Sequence, residues 1–449
     1  MKYKKFAYRH PDELKEDIVR AGVELPFTEQ LDILKSPLSL NGKLLPNRLA
    51  IHPMEGCDGT VDGAPGELTF RRYERFGASG AGLLWMEACA VSHEGRGNSR
   101  HLYMYHENVS AFKKLYDSMM AKAKTVSINE SEPYTVLQLT HAGRYSKPDA
   151  DAPAIIAVTA NLYLDPVSNP KRRLISDEEL EQLENQYVTS AMMAKEIGFD
   201  AIDIKACHRY LISELLSAHT REGRYGGSFE NRIRFLLNII DKIKDQVDID
   251  IAVRINGYDA IPYPYGWGTD ETGKPAMQEP RRLMQLLYDR GVRLVNVSAG
   301  NPYYNPHIGR AADTGAYLAP EHPIESAARM LHIIKEMKEA APGMTLVGTG
   351  FSWFREYGAN IAAGCIEQGW MDLAGFGRQA FAYPDFALDI MQHGTMIRRK
   401  CCTTCTKCTE LMRFGGQTGC VIKDSKVYLP RWREATNGRT MMSTKPFPN

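Results

Sequence analysis

The sequence predicts an α/β fold, a (β/α)8 TIM barrel, and three observations carry that prediction. The chain has 449 residues, too many for one small domain and the right length for such a barrel with additions. Eight short β-rich runs, at 49–53, 82–87, 135–140, 201–205, 249–255, 294–298, 345–348 and 372–375, alternate with segments of helical periodicity. The last two runs end in glycine turns, VGTGFS and AGFGRQAF, and barrels of this kind habitually bind phosphate after strands seven and eight.

The elements follow in order. Residues 1–48 read as an amphipathic lead-in with a turn at Asn41-Gly42, a small hairpin placed to close the barrel floor. Helices are expected at 177–197, 231–247, 280–290 and 323–341, with Asp177 and Asn231 as N-caps and Gly198 and Gly291 as stops. Residues 142–176, rich in Pro, Asn and Asp, read as a long loop over the barrel top. Near residue 395 the barrel pattern ends. The chain therefore divides into a barrel, 1–395, and a cysteine-rich extension, 396–449, whose last stretch from Asp424 to Asn449 reads as a polar tail.

Composition excludes several classes of function. Lys+Arg 55 against Asp+Glu 54 leaves a formal charge of +1, so no global basic field argues for nucleic acid. No apolar run is long enough to span a bilayer. The basic N-terminal residues are not followed by an apolar segment, so no secretory signal is expected and the expected location is cytoplasmic. Of nine cysteines, Cys57, Cys89, Cys207 and Cys365 are scattered, whereas Cys401, Cys402, Cys405, Cys408 and Cys420 crowd into twenty residues. Crowding of this sort reads as a metal site rather than a disulfide framework.

The stretch AIDIKACHRYLISELLSAHTREGRYGGSFENRIRF, 201–235, is the most informative. A buried strand runs into Lys205, His208 and Tyr210, so a cation, an imidazole and a phenol gather at its carboxyl end, where α/β barrels do chemistry. A lone His after a strand is more often a satisfied polar residue than a catalyst, but a lysine there is poorly explained by packing. The same stretch, with YGGSFENR intact at 225–232, resembles the signature of the Old Yellow Enzyme family of flavin-dependent ene reductases.

That resemblance implies an FMN site and a reaction. It implies that Lys205 and His208 bind a carbonyl oxygen and that Tyr210 donates the proton when an activated C=C bond is saturated. It assigns Gln138 to the flavin pyrimidine, Arg254 to its N1/O2 edge, Gly350, Gly377 and Arg378 to its phosphate, and Pro53, Met54 and the backbone of Ala88 to the strands lining the ring. Glu55 stands where relatives carry Thr or Cys, and Cys57 is an alternative small residue there. Arg209 replaces the usual Gly, and with Lys205 it suggests an acidic substrate. Tyr303, Tyr304 and His307 lie on a loop expected to reach over the barrel mouth.

The spacing Cys402-x2-Cys405-x2-Cys408-x11-Cys420 suits either zinc or a [4Fe–4S] cluster. Following a flavin barrel, it resembles the iron–sulfur subgroup that includes 2,4-dienoyl-CoA reductase and trimethylamine dehydrogenase. One interval is a residue shorter than in that subgroup, so Cys401 is an alternative first ligand. No G-x-G-x-x-G strand–turn–helix unit is present. The expected reductant is therefore a separate flavodoxin, ferredoxin or flavoprotein, or NAD(P)H acting directly on the FMN. The expected partners are a small unsaturated substrate and, in a homo-oligomer, a second copy. The rival readings are oxidative amine demethylation, and a non-redox barrel with structural zinc acting as an interaction protein.

Overall fold

The computed structural model describes residues 5–127, 131–159, 161–165, 171–314 and 319–437. Eight parallel strands close into a barrel in chain order. They are β1 (Leu49–Ile51), β2 (Leu83–Ala90), β3 (Tyr134–Thr140), β4 (Ala201–Ala206), β5 (Asp250–Asn256), β6 (Leu294–Ser298), β7 (Thr345–Gly348) and β8 (Leu373–Phe376). The intervening helices are α1 (Glu67–Gly77), α2 (Val109–Lys124), α3 (Asp177–Ile197), α4 (Phe229–Gln246), α5 (Gln278–Asp289), α6 (Pro323–Ala340) and α7 (Gly358–Glu367), with α8 (Phe386–His393) after the last strand.

The strands are buried on both faces because helices cover the outside and side chains fill the inside. Alternate residues point inward. Ala50, Leu83, Trp85, Val136, Ala201, Ala252, Leu294, Val347 and Leu373 form one apolar cluster, which Leu40 and Leu45 of the hairpin strands Leu38–Leu40 and Lys43–Leu45 also join. The hairpin thus plugs the barrel floor, as its Asn41-Gly42 turn predicts.

Four local expectations are corrected. The caps of α3 and α4 are Ser176 and Ser228, whose hydroxyls accept the N–H of Glu179 and Asn231; a short hydroxyl reaches the N3 amide from outside the helix. Asp177 and Asn231 lie inside the first turn. The 142–176 segment is not a plain loop, because Ala154–Ile156 pairs in parallel with Arg172–Leu174; residues 160 and 166–170 lie outside the described residues. The expected polar tail holds a helix, Ser425–Thr436, and residues 438–449 lie outside the described residues. That helix is ordered by apolar positions the polar reading overlooked: Val427, Tyr428, Leu429 and Trp432 pack with Leu411, Val421 and Leu68 of α1.

The extension is also tied to the barrel by charge. Arg71 and Arg75 of α1 both reach Asp424, each at 2.7 Å. Thr418 N–H donates to the Gly56 carbonyl at 2.6 Å. Among the described residues no helix is long and apolar enough to cross a membrane.

Candidate active site

Continuing the inward alternation toward the carboxyl ends of the strands, apolar side chains give way to polar ones. Gln138 and Asp203 are register partners on β3 and β4. Asp203 accepts from Gln138 Nε2 at 2.6 Å, Trp85 Nε1 at 2.9 Å and the Arg254 N–H at 2.6 Å. Burial pushes its carboxyl up to about 6, against the hydrogen bond from Gln138 and the charge of Arg254. His52, three residues before Glu55, accepts or donates to Asn296 at 2.9 Å and Thr349 at 3.1 Å. Burial first, then Arg254, lowers it to about 3, so it is neutral.

Above this layer, at the carboxyl ends of the strands, opens a partly enclosed cavity. Lys205, His208 and Tyr210 all line it. Lys205 Nζ lies 2.7 Å from Glu55 Oε1 and 3.8 Å from the centroid of the Tyr210 ring. Burial alone would raise the Glu55 carboxyl, but Lys205 and then His101 hold it down at about 2. The carboxylate is therefore matched by the ammonium, which resolves the clash an unpaired Glu55 would pose to an anionic cofactor. Burial, then Glu55 and Tyr303, raise the Tyr210 phenol well above its ordinary value. Burial, then Arg254 and Lys205, keep His208 neutral. Its Nε2 lies 3.4 Å from Ser298 Oγ.

Arg209 does not face the cavity. It is fully buried, paired with Asp259 at 3.1 Å, and bonded to Ser217 Oγ and the Tyr265 carbonyl. The suggestion of an acidic substrate drawn from Arg209 therefore falls. Its backbone sits at φ 66°, next to His208 at φ 60°, a conformation that costs a side-chain-bearing residue about 1–3 kcal/mol and persists only when surroundings enforce it. Tyr303 lines the cavity and stacks on Tyr145 at 4.0 Å. Tyr304 packs edge-on against Tyr163, and His307 sits 3.6 Å from Glu321; neither lines the cavity.

The other predicted cofactor residues mostly converge here. Pro53, Met54, Arg254, Gly350, Gly377 and Arg378 line the same cavity. Gly350 adopts φ 116°, open to glycine alone, and a Cβ on Gly377 would lie 2.9 Å from Met54 Sδ. Arg378 Nη1 and Arg254 Nε are buried without partners. Unfilled guanidinium donors beside glycine turns fit a phosphate and an electron-rich ring edge, so these residues fit FMN. Ala88 and Gln138 lie outside the cavity wall. The β2–β3 register shifts between Met86 and Cys89, and the Ala88 carbonyl meets His101 Nε2 at 3.0 Å; such bulges re-aim a strand beside a site.

The cysteine segment lies against this cavity, with Cys408, Thr409, Met412 and Thr418 in its wall. Among the described residues no three His, Cys, Asp or Glu side chains come together closely enough to hold a metal ion, so Cys402, Cys405, Cys408 and Cys420 do not form the single-ion site their spacing allows. A two-residue spacing on a loop sets the order of thiols but not their convergence. The four thiols nonetheless lie close enough to feel one another's charge, Cys405 through Cys408 and Cys420. Burial pushes Cys402 up to about 12, opposed by Arg378 and reinforced by Cys408 and Cys420. Cys401 points elsewhere, donating to the Ile397 carbonyl at 3.6 Å. Backbone N–H groups of Thr404 and Lys423 each reach a sulfur, Cys402 Sγ and Cys420 Sγ, at 3.3 Å.

Residues that the motif reading missed have a common signal. His52, Asp203 and Asn296 all fall on the inward alternate positions of their strands, two residues on from Ala50, Ala201 and Leu294. Beneath the Glu55 loop, Arg72 of α1 is buried with Asp58 and Glu87, and Glu87 Oε2 accepts the Gly56 N–H at 2.7 Å. That cluster holds the loop presenting Glu55.

The buried histidines make the fold acid-sensitive. His141 is 1% exposed and burial lowers it to about 3 from the ordinary 6.5. The unfolded chain binds this proton first on acidification, so the stability is complete above pH 6.5 and is lost as pH falls toward 3. At pH 5 the loss is about 2 kcal/mol for each such histidine. Denaturant titrations from pH 7 to 5 should show this slope, and His141→Gln should flatten it; an unchanged slope would exclude His141 as a contributor.

Against known proteins, a model of the NADH:flavin oxidoreductase / NADH oxidase family matches residues 34–279. An NADPH dehydrogenase of Geobacillus sp. (strain WCH70) is 33% identical over 273 residues, covering 60% of this chain and 73% of that protein. A solved structure of 2-naphthoyl-CoA reductase with 2-naphthoyl-CoA superimposes with TM-score 0.71 at 19% identity, over 90% of this chain and 58% of that one; this chain therefore spans little more than half of that protein. An old yellow enzyme homologue from Zymomonas mobilis superimposes with TM-score 0.60 at 21% identity, over 81% of this chain and 94% of that one.

Proposed function

The chain belongs to the NADH:flavin oxidoreductase / NADH oxidase family and is an FMN oxidoreductase, and from that membership we propose that it saturates an activated C=C bond conjugated to a carbonyl or carboxylate. The observation that carries this reading is the set of Tyr210, His208 and the Lys205–Glu55 pair on one cavity wall. FMN, when bound, supplies the hydride that goes to the β-carbon. The α-carbon must then receive a proton, and Tyr210 holds one through neutral pH because burial and Glu55 raise its phenol. Neutral His208 and the Lys205 ammonium offer hydrogen bonds to the carbonyl oxygen, where enolate charge develops.

The same proposal gives the four thiols Cys402, Cys405, Cys408 and Cys420 a [4Fe–4S] cluster, whose contribution is one-electron transfer. Two N–H···S contacts of the kind that support such clusters favour it. Cys402 is preferred to Cys401 because only Cys402 is electrostatically linked to the other thiols. Electrons are then drawn from a separate carrier protein or from NAD(P)H. Burial of Arg209 away from the cavity removes one of two cations that would repel an amine substrate, but Lys205 remains in the cavity wall and no observation favours the amine demethylation reading.

The visible spectrum of anaerobically purified protein tests both cofactors. Flavin bands on a broad brown shoulder, both bleached by dithionite, are expected. A flavin spectrum without the shoulder would remove the cluster. A colourless protein that also failed to bind added FMN would overturn the redox assignment.

A further inference from the structure

We infer that the cavity contains a second anion-binding subsite, built on Arg310, that takes a carboxylate or phosphate carried by the acceptor substrate or by the nicotinamide dinucleotide. The inference rests on the flavoenzyme reading above and adds to it a recognition group. Four basic side chains line the cavity, Lys205, Arg254, Arg310 and Arg378, against one carboxylate, Glu55. Glu55 is committed to Lys205 at 2.7 Å. His52 and His208 are neutral and add no charge. The family resemblance gives Arg254 to the flavin ring edge and Arg378 to its phosphate. Arg310 is left without a carboxylate, and Cys408, whose thiolate would favour its charge, is already engaged by the proposed cluster.

Its surroundings show that this is not an oversight of packing. Among the described residues the side chain makes one hydrogen bond, from Nη1 to Thr409 Oγ1 at 2.6 Å, and a hydroxyl cannot neutralise a guanidinium. Among the described residues no carboxylate pairs with Arg310. The acid nearest to it in the chain, Asp313, is occupied elsewhere: it accepts from the Phe6 N–H at 3.2 Å and from Trp353 Nε1 at 2.7 Å. The loop carrying Arg310 is held at both sides, by Arg378 Nη2 on the Ala311 carbonyl at 3.0 Å and by Arg413 Nη2 on the Pro302 carbonyl at 2.7 Å. A guanidinium partly withdrawn from water, fixed in place and facing a cavity is a built receptor for an oxyanion. Tyr303 and Met412 share that part of the wall and suit a flat, apolar body joined to the anion.

The test uses FMN-loaded enzyme and two isosteres, 4-carboxycinnamaldehyde and 4-carbamoylcinnamaldehyde, titrated through the change in flavin absorbance. Arg310→Gln should raise the Kd of the carboxylate about 10- to 100-fold, the loss expected for one charge-assisted pair. The carbamoyl isostere and FMN itself should change by less than about threefold, and Arg310→Lys should recover part of the carboxylate affinity. If instead the KM for NADPH rises by that factor with the carboxylate unaffected, the subsite stands and its anion belongs to the dinucleotide. A matching fall in FMN affinity would make Arg310 a flavin ligand and overturn the proposal. Equal weakening of both isosteres, or no change in any ligand, would overturn it too. Because binding is read directly, failure of the wild type to reduce either aldehyde would sink the ene reductase reading alone.

Discussion

Tyr210→Phe is expected to slow reoxidation of the reduced enzyme by an enal about 10²- to 10⁴-fold, the usual worth of a positioned proton donor. Reduction of the flavin by dithionite or NAD(P)H should stay within about twofold, since no proton from Tyr210 enters that half-reaction. The substitution isolates the hydroxyl because the ring keeps its place over Lys205 Nζ at 3.8 Å. The phenol lies 3.5 Å from Glu55 Oε1, too long to trap its proton. Burial and the Glu55 charge raise its pKa, so it yields the proton only to a strongly basic centre such as the α-carbon of an enolate. Rapid-mixing measurement of the two half-reactions decides the matter. Equal slowing of both would assign Tyr210 to binding or structure, and an unchanged oxidative step would place the donor elsewhere.

Arg209→Met should destabilise the protein by about 3–5 kcal/mol, the cost of breaking a buried ion pair from one side. It leaves Asp259 fully buried and unpaired, and burial already pushes that carboxyl up to about 6. Arg209→Gly should relieve the backbone at φ 66° but still pay for the stranded Asp259, so it too is expected to be destabilising. Adding Asp259→Leu to Arg209→Met should recover most of the loss, because the pair is then removed as a unit. Chemical denaturation of the three variants measures this. If Arg209→Met alone keeps wild-type stability, the pair does not hold the 208–209 turn, and the strain there needs another support.

Much of the fold was legible because barrel strands announce themselves. β6 and β7 match their expected limits of 294–298 and 345–348, since each is a short β-branched run bounded by polar or glycine residues. The helix caps were misread by one and three residues, because Asp and Asn are good caps in general and only geometry reveals that Ser176 and Ser228 occupy the position. Motifs singled out Lys205, His208, Tyr210, Arg254, Gly350, Gly377 and Arg378, which all line one cavity. Arg209 was misplaced because the sequence says that a residue follows His208, but not which way a left-handed backbone turns its side chain. Arg310 was missed because its loop carries no motif, and its meaning depends on the carboxylates that are not near it.

The sequence by itself determined the barrel, the family and the identity of the groups at the end of β4, because these follow from local periodicity and from contiguous motifs. Tertiary structure alone decided their charges and neighbours. Glu55 lies 150 positions from Lys205, yet each sets the other's environment. Asp259 disarms Arg209 from 50 positions away. The cysteine extension contributes Thr409 and Met412 to a cavity whose floor is made by β1 and β4 to β8. Periodicity is a property of neighbours in the chain, whereas electrostatics and burial depend on distance in space, and only the closed barrel brings those groups to within a few ångströms.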